Sequence, residues 1–223
     1  RLSNDVFTMD KILLGDVFIR GGSSSGTHVL EEGRPIGQFY GLVCNGIDEN
    51  GRYILVDKDG DGEISDPADY DYIGSAQPKL TYGITNTFRY KNVDLSFFLR
   101  GTIGNDILNA TRMAYAQSGF LPGTNALDDP LTYTLSETPR FSNYYLEKGS
   151  FMRLDNLTLG YKIKALNGIR VYFTAQNLFV ITKYKGLDPE VPMDSGDGLT
   201  PGVEPREFYP KARTFSVGLN LNF

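Results

Sequence analysis

Apolar and polar residues alternate one for one through five stretches of the chain, and a period of two predicts strands. In residues 81–90 one face takes Tyr82, Ile84, Phe88 and Tyr90, while Thr81, Gly83, Thr85, Thr87 and Arg89 take the other. After a tight connection at Lys91 and Asn92, Val93, Leu95, Phe97 and Leu99 oppose Asp94, Ser96 and Arg100, with Phe98 breaking the pattern. Leu157, Leu159, Tyr161 and Ile163 alternate with Thr158, Gly160 and Lys162 in FMRLDNLTLGYKI. Val171, Phe173 and Ala175 do the same against Arg170, Tyr172, Thr174 and Gln176. The closing RTFSVGLNLNF sets Phe215, Val217, Leu219, Leu221 and Phe223 against small or neutral polar neighbours.

The connections are short at 91–92 and at 165–168, and long at about 104–149 and 182–210. Within the first long one, NDILNATRMAYAQSG has Ile107, Ala110 and Ala114 at helical spacing and predicts a short helix. Upstream, PIGQFYGLVCNGI (35–47) reads as a strand and GGSSSG as a flexible turn or linker. The chain begins at Arg1 with no leader pattern and reads as a fragment or processed chain.

Composition narrows the function classes. The 25 Gly, 14 Tyr and 14 Phe favour strands and turns. No apolar run reaches the roughly 18 residues of a membrane helix, which leaves membrane strands open because alternation averages out of a hydropathy window. A net charge of -5 argues against nucleic acid as a partner. A single cysteine, Cys44, excludes an internal disulfide and any multi-thiolate metal site.

Alternation alone fits a soluble antiparallel sandwich that binds glycan or calcium through its loops. Three features favour a membrane sheet. The strands are longer than the five or six residues usual in soluble sheets. Short and long connections alternate strictly, as between the periplasmic turns and external loops of outer-membrane barrels. Aromatics stand near strand ends (Tyr82, Tyr90, Phe151, Tyr161, Phe179, Tyr184, Phe215 and Phe223), in the manner of an interfacial girdle. The apolar faces of 157–163, 171–175 and 215–223 hold no charge, where a Lys or Arg at mid-membrane costs about 2–4 kcal/mol.

Four stretches carry a family resemblance: GRPIGQFYGLVCNGID (33–48), residues 72–109, LEKGSFMRLDNLTLGYKI (146–163), and RVYFTAQNLFVITKYKGLDPEV (170–191) with the terminal strand. They resemble the C-terminal barrel region of SusC/RagA-type TonB-linked outer-membrane transporters. The resemblance implies an all-β fold: residues 1–223 as the last strands of a transmembrane barrel of about 22 strands, with long extracellular loops. It implies that the plug domain, the TonB box and the first strands lie outside these residues. It implies import of oligosaccharides or peptides across the cell outer membrane, with a SusD-like surface lipoprotein as lid, TonB as the source of force, lipid around the barrel and no enzymatic chemistry. It also implies that Phe223 is the signal read by barrel-assembly machinery.

The sharpest chemical motif is DKDGDGEI (57–64). Asp57, Asp59 and Asp61 occupy the first, third and fifth places of a calcium loop, Gly62 the turn, and Glu63 the place that donates a backbone carbonyl. Ala68 stands where a bidentate acid belongs, so Asp66 or Asp69 would have to substitute by a bent path. No cofactor is required by the reading; calcium is the candidate ion. His28, the only histidine, reads as a surface residue in a turn, and Cys44 as packing. The pairs Asp128–Asp129 and Asp194 with Asp197 read as solvated loop charges, and Tyr115, Phe120, Tyr144 and Tyr145 as loop packing rather than sugar platforms.

Overall fold

The alternating stretches do form strands. A computed structural model describes residues 12–19, 22–118, 121–123, 125–163, 169–191, 198–205 and 209–221. In chain order the strands are β1 (Ile12–Ile19), β2 (Gly22–Leu30), β3 (Gln38–Leu42), β4 (Cys44–Ile47), β5 (Tyr53–Leu55) and β6 (Tyr70–Ser75). β7 (Leu80–Tyr90), β8 (Val93–Ile103), β9 (Asp106–Leu108), β10 (Leu146–Lys148), β11 (Phe151–Ile163), β12 (Ile169–Thr182) and β13 (Thr214–Asn220) follow. Helices α1 (Ala110–Tyr115) and α2 (Pro130–Thr134) lie between β9 and β10. The chain divides into two compact units. One draws on 1–77, 105–148 and 190–208, the other on 78–104, 149–189 and 209–223.

The second unit contains one antiparallel sheet in the order β13-β12-β11-β8-β7. Its register turns the alternation of single strands into continuous rows. Tyr90, Val93, Tyr161, Val171 and Leu219 form one row, and Phe88, Leu95, Leu159, Phe173 and Val217 the next. Then come Asn86, Phe97, Leu157, Ala175 and Phe215, followed by Ile84, Leu99, Leu154 and Phe179. Asn86 is the polar member of these rows. Phe88 stacks on Phe97 at 6.1 Å and Phe173 on Phe215 at 6.0 Å, diagonal neighbours of one face. The opposite face carries a hydroxyl row, Thr87, Ser96, Thr158, Thr174 and Ser216.

No second layer of this unit covers the apolar rows among the described residues: Val217 is 76% exposed and Leu219 62%. A sandwich would seal these side chains, so the soluble alternative loses its main requirement.

A bulge at Asp155 corrects the reading of strand ends. The register of β11 shifts between Leu154 and Asn156, so residues before it swap faces. Leu154 and Met152 join the apolar rows, while Phe151 and Arg153 go to the polar face beside Thr102 and Arg100. Phe151 is therefore not part of an aromatic girdle, and Phe215 sits in a middle row; Tyr90 and Tyr161 do share the row nearest the 91–92 turn. Unshifted parity would put Arg153 among the apolar residues.

The polar face is tied by ion pairs. Arg170 on β12 grips Asp94 on β8 with Nε–Oδ1 2.9 Å and Nη2–Oδ2 2.5 Å, reaching across β11. The passage is Gly160: a Cβ there would fall within 2.6 Å of Arg170 Nε. Arg100 pairs with Asp155 of the bulge at 2.9 Å, and Arg153 with Asp188 at 2.6 Å in full burial.

The first unit holds a four-stranded sheet β1-β2-β3-β6 and the two-stranded pairs β9-β10 and β4-β5. Its larger core gathers Phe39, Cys44, Tyr53, Leu108, Met113, Leu131, Phe141 and Tyr145; a smaller one gathers Val29, Tyr40, Leu42 and Tyr70. Sequence stretches read as long loops thus contribute a packed core. The helix in 105–119 is shorter than expected, because Ile107 lies in β9 and Asn109 caps α1 by accepting the Arg112 N–H at 2.8 Å. The strand read through 35–47 breaks at Val43 into β3 and β4. GGSSSG is strand, its described part lying in β2, where pairing with β1 satisfies a backbone that composition alone reads as a linker.

Replacing Gly160 by Leu forces Arg170 and Asp94 apart. Such overpacking is expected to destabilise the intact protein by about 1–3 kcal/mol, read as a shift of the denaturant midpoint, with Thr158→Val in the neighbouring row as a mild control.

Candidate functional site

In the acidic turn after β5, short side chains organise their own backbone. Asp57 accepts the N–H groups of Gly60 at 2.6 Å and Gly62 at 2.9 Å. Asp59 accepts the Asp61 N–H at 3.1 Å, and Asp61 the Glu63 N–H at 2.8 Å. Gly60 and Gly62 take φ values of 78° and 90°, where a side chain would be strained. One carboxylate oxygen from each of Asp57, Asp59 and Asp61 comes within 4.8 Å of the others. These are the three acids expected from spacing, brought together. The Glu63 carboxylate is outside this cluster, leaving its backbone carbonyl as the donor the motif assigns to it.

The expected substitutes for the missing twelfth ligand are engaged elsewhere. Asp69 is buried and accepts the N–H of Lys58 at 2.6 Å and of Ser65 at 2.8 Å, closing the loop at its base. Asp66 pairs with Arg140 at 2.9 Å. Asp69 organises the base of the loop through these two bonds; its signal in the sequence is only its place just before β6.

The acids differ in charge behaviour. The N–H donated by Asp61 favours the Asp59 anion, but desolvation and the charges of Asp61, Asp69 and Asp57 outweigh it and raise the Asp59 pKa above the usual carboxylate range. Asp69 goes the other way: the N–H groups of Ser65 and Lys58 hold its pKa below that range, against a smaller desolvation effect.

Other singled-out residues are structural. His28 is fully buried rather than on the surface. Its Nε2–H donates to the Pro201 carbonyl at 2.9 Å, leaving Nδ1 to accept the Thr27 hydroxyl at 2.8 Å, and its ring packs on Phe39. Cys44 is buried in the larger core, its N–H bonded to Asn143 Oδ1 at 2.6 Å. Tyr145 is fully buried and bonded to the Tyr53 hydroxyl, so it offers no platform to a sugar; Tyr144 packs on both rings. Desolvation pushes the Tyr53 pKa up to about 12 and raises that of Tyr145 as well. Asp129 caps α2 and pairs with Arg112 at 2.9 Å. Phe120, Asp194, Asp197 and Phe223 lie outside the described residues.

Comparison with known proteins adds what geometry alone does not supply. No protein-family profile matches the chain. TonB-dependent receptor P3 of Formosa agariphila is 33% identical over 88% of the chain, which covers 23% of that relative. TonB-dependent receptor SusC of Bacteroides thetaiotaomicron is 36% identical over 94% of the chain, which covers 21% of it. Among solved structures, the RagAB peptide transporter matches with a TM-score of 0.71 at 25% identity, covering 96% of the chain and 25% of the solved one. The same importer in its closed-closed state gives 0.70 at 25%. The chain therefore spans less than a quarter of the curated relatives' length.

Because folding holds the Asp69 pKa below its unfolded value, its stabilising effect is complete above the ordinary carboxylate pKa and is lost as pH falls through the lowered one. Hydrogen exchange at the Lys58 and Ser65 amides should stay slow, after correction for intrinsic rate, down to about pH 4 and rise below it. Asp69→Asn should bring the rise to neutral pH.

Proposed function

From the premise that this chain belongs to the SusC/RagA type of TonB-dependent receptors, we propose that it forms the C-terminal wall and outer loops of an importer in the cell outer membrane. The carrying observation is the exposed apolar face in the second unit, two of whose rows run unbroken across five strands. In water such a face is a liability; against acyl chains it is the favoured surface, with the hydroxyl row turned to a water-filled lumen. The cargo would be peptides, since the solved neighbour RagAB is a peptide transporter, or oligosaccharides. A SusD-like lipoprotein would lid the barrel, and TonB would act through a plug beyond these residues. No bond chemistry is involved: the relatives are receptors, and Asp69 and Tyr145 serve loop and core structure.

Calcium is proposed for the 57–61 turn. Three convergent carboxylates and the Glu63 carbonyl suit a hard cation, and the pKa of Asp59 reflects the repulsion that such an ion relieves. Without a bidentate acid the site should be weak, with a Kd of about 0.1–1 mM.

Two experiments test the lipid contact and the transport. In the intact receptor, Val217→Lys should cost about 2–4 kcal/mol of bilayer folding free energy while Ser216→Lys, one step along on the polar face, costs much less; equal costs would remove the lipid reading. Labelled peptide or oligosaccharide should accumulate only in cells that carry the receptor and keep an energised inner membrane. Accumulation that survives collapse of the proton gradient would remove TonB-driven import.

For calcium, titration calorimetry should show binding in wild type and a loss of about ten-fold or more in Asp59→Asn. Protons compete for the same oxygens, so affinity should decline on acidification from a pH above the ordinary aspartate range. A variant that binds like wild type would clear Asp59 of the role.

A further inference from the structure

The polar face carries a second concentration of charge, at the end where β7 turns into β8. A cavity of about 320 Å³ is lined there by Arg89, Lys91, Asp94, Lys162 and Arg170, with Asn92 and Val93. Register fixes the side. Arg89 stands opposite Asp94, Asp94 opposite Gly160, and Lys162 opposite Arg170, so all four charged strand residues face away from the apolar rows. Asp94 is the only acid lining the cavity, and it is consumed by its two-pronged pair with Arg170. Arg89, Lys91 and Lys162 make no ion pair within 4 Å among the described residues, although Arg89 stands opposite Asp94 and feels its charge. Gly160 leaves room above β11 for the Arg170–Asp94 pair that forms one wall, since a Cβ there would meet both side chains.

Four cations line the recess against one acid, and the repulsion of this excess positive charge is relieved by an anion with several oxygens. The Arg89 fork can hold two oxygens and an ammonium a third. We propose that this recess is an oxyanion-binding site, taking a phosphate or carboxylate group of a small solute from the watery side of the sheet. The volume is ample for such a group. A lipid headgroup is disfavoured because Arg89 and Lys162 stand on the flank opposite the apolar rows, while Lys91, whose ammonium lies 5.2 Å from the Tyr90 ring, is at the turn between the two flanks. The site rests on the sheet's own geometry; that its face meets water rests on the membrane reading above.

The test uses the intact receptor, folded and purified in detergent. Inorganic phosphate and, separately, succinate are titrated by calorimetry at constant ionic strength, which removes general screening. Saturable binding of either anion is expected, weakened at least ten-fold in Arg89→Gln/Lys162→Gln and unchanged in Lys79→Gln, a lysine of the same unit that does not line the recess. The charge-preserving Arg89→Lys/Lys162→Arg should keep measurable binding, which separates lost charge from lost fold. No saturable binding of either anion by wild type, or wild-type binding by the glutamine pair, overturns the site. Saturation by short-chain phosphatidylglycerol with no response to phosphate or succinate overturns its watery placement. Bilayer insertion is read apart from these titrations: a receptor that inserts but binds no anion sinks this proposal alone, whereas anion binding without insertion sinks the membrane reading and leaves the site.

Discussion

A sheet that crosses a bilayer has to pair its backbone groups between strands and keep one flank apolar; in the second unit, register pairs β12, β11 and β8 on both sides and gathers the apolar residues on one flank. Pairing alone fixes nothing about the flanks. Only when each strand is held in step do separate alternations fuse into rows such as Phe88, Leu95, Leu159, Phe173 and Val217. A one-residue slip of a strand would turn its other face, rich in Thr, Ser, Lys and Arg, into the apolar rows. The stacked pairs Phe88–Phe97 and Phe173–Phe215 and the Asp94–Arg170 bridge, on opposite flanks, all oppose such a slip.

The bulge at Asp155 shows where register does more than alternation. Unshifted parity would send Arg153 to the apolar flank beside Leu157; the extra residue sends it to the polar flank, where Asp188 neutralises it in burial. A buried pair of this kind stabilises little by itself, because desolvation offsets the attraction. Its greater effect is on specificity: the unbulged alternative would strand an unpaired guanidinium among the apolar rows. Asp155 contributes a second time by pairing with Arg100, so the residue that makes the bulge also anchors it.

The strands of this unit were legible because a period of two survives in any one segment, and β7, β8, β11 and β12 appear within a few residues of the expected stretches. The faces of Phe151 and Arg153 were not, since a bulge is a relation between strands and leaves no mark in one of them. The first unit was less legible for a related reason. Its elements are short, its core is drawn from distant segments, and residues such as His28 and Tyr145 are buried by partners 173 and 92 positions away. Of the acidic turn, spacing revealed Asp57, Asp59 and Asp61, because Asx turns are local chemistry. The true work of Asp69, bonded to Lys58 and Ser65, depends on how the chain re-enters β6.

The two charged clusters invert each other, and the inversion follows from what each backbone can do. In the acidic turn the peptide N–H groups already face the carboxylates, so three like charges can be held near one another before any ion arrives. At the sheet end the backbone is committed to strand pairing and cannot answer the cations, so their repulsion is met by only one side chain, Asp94. Asp94 neutralises Arg170 and leaves Arg89 and Lys162 charged across the same recess. A loop can thus satisfy its acids from within, whereas a strand face carrying excess like charge has to look outside the sheet for its counter-ion.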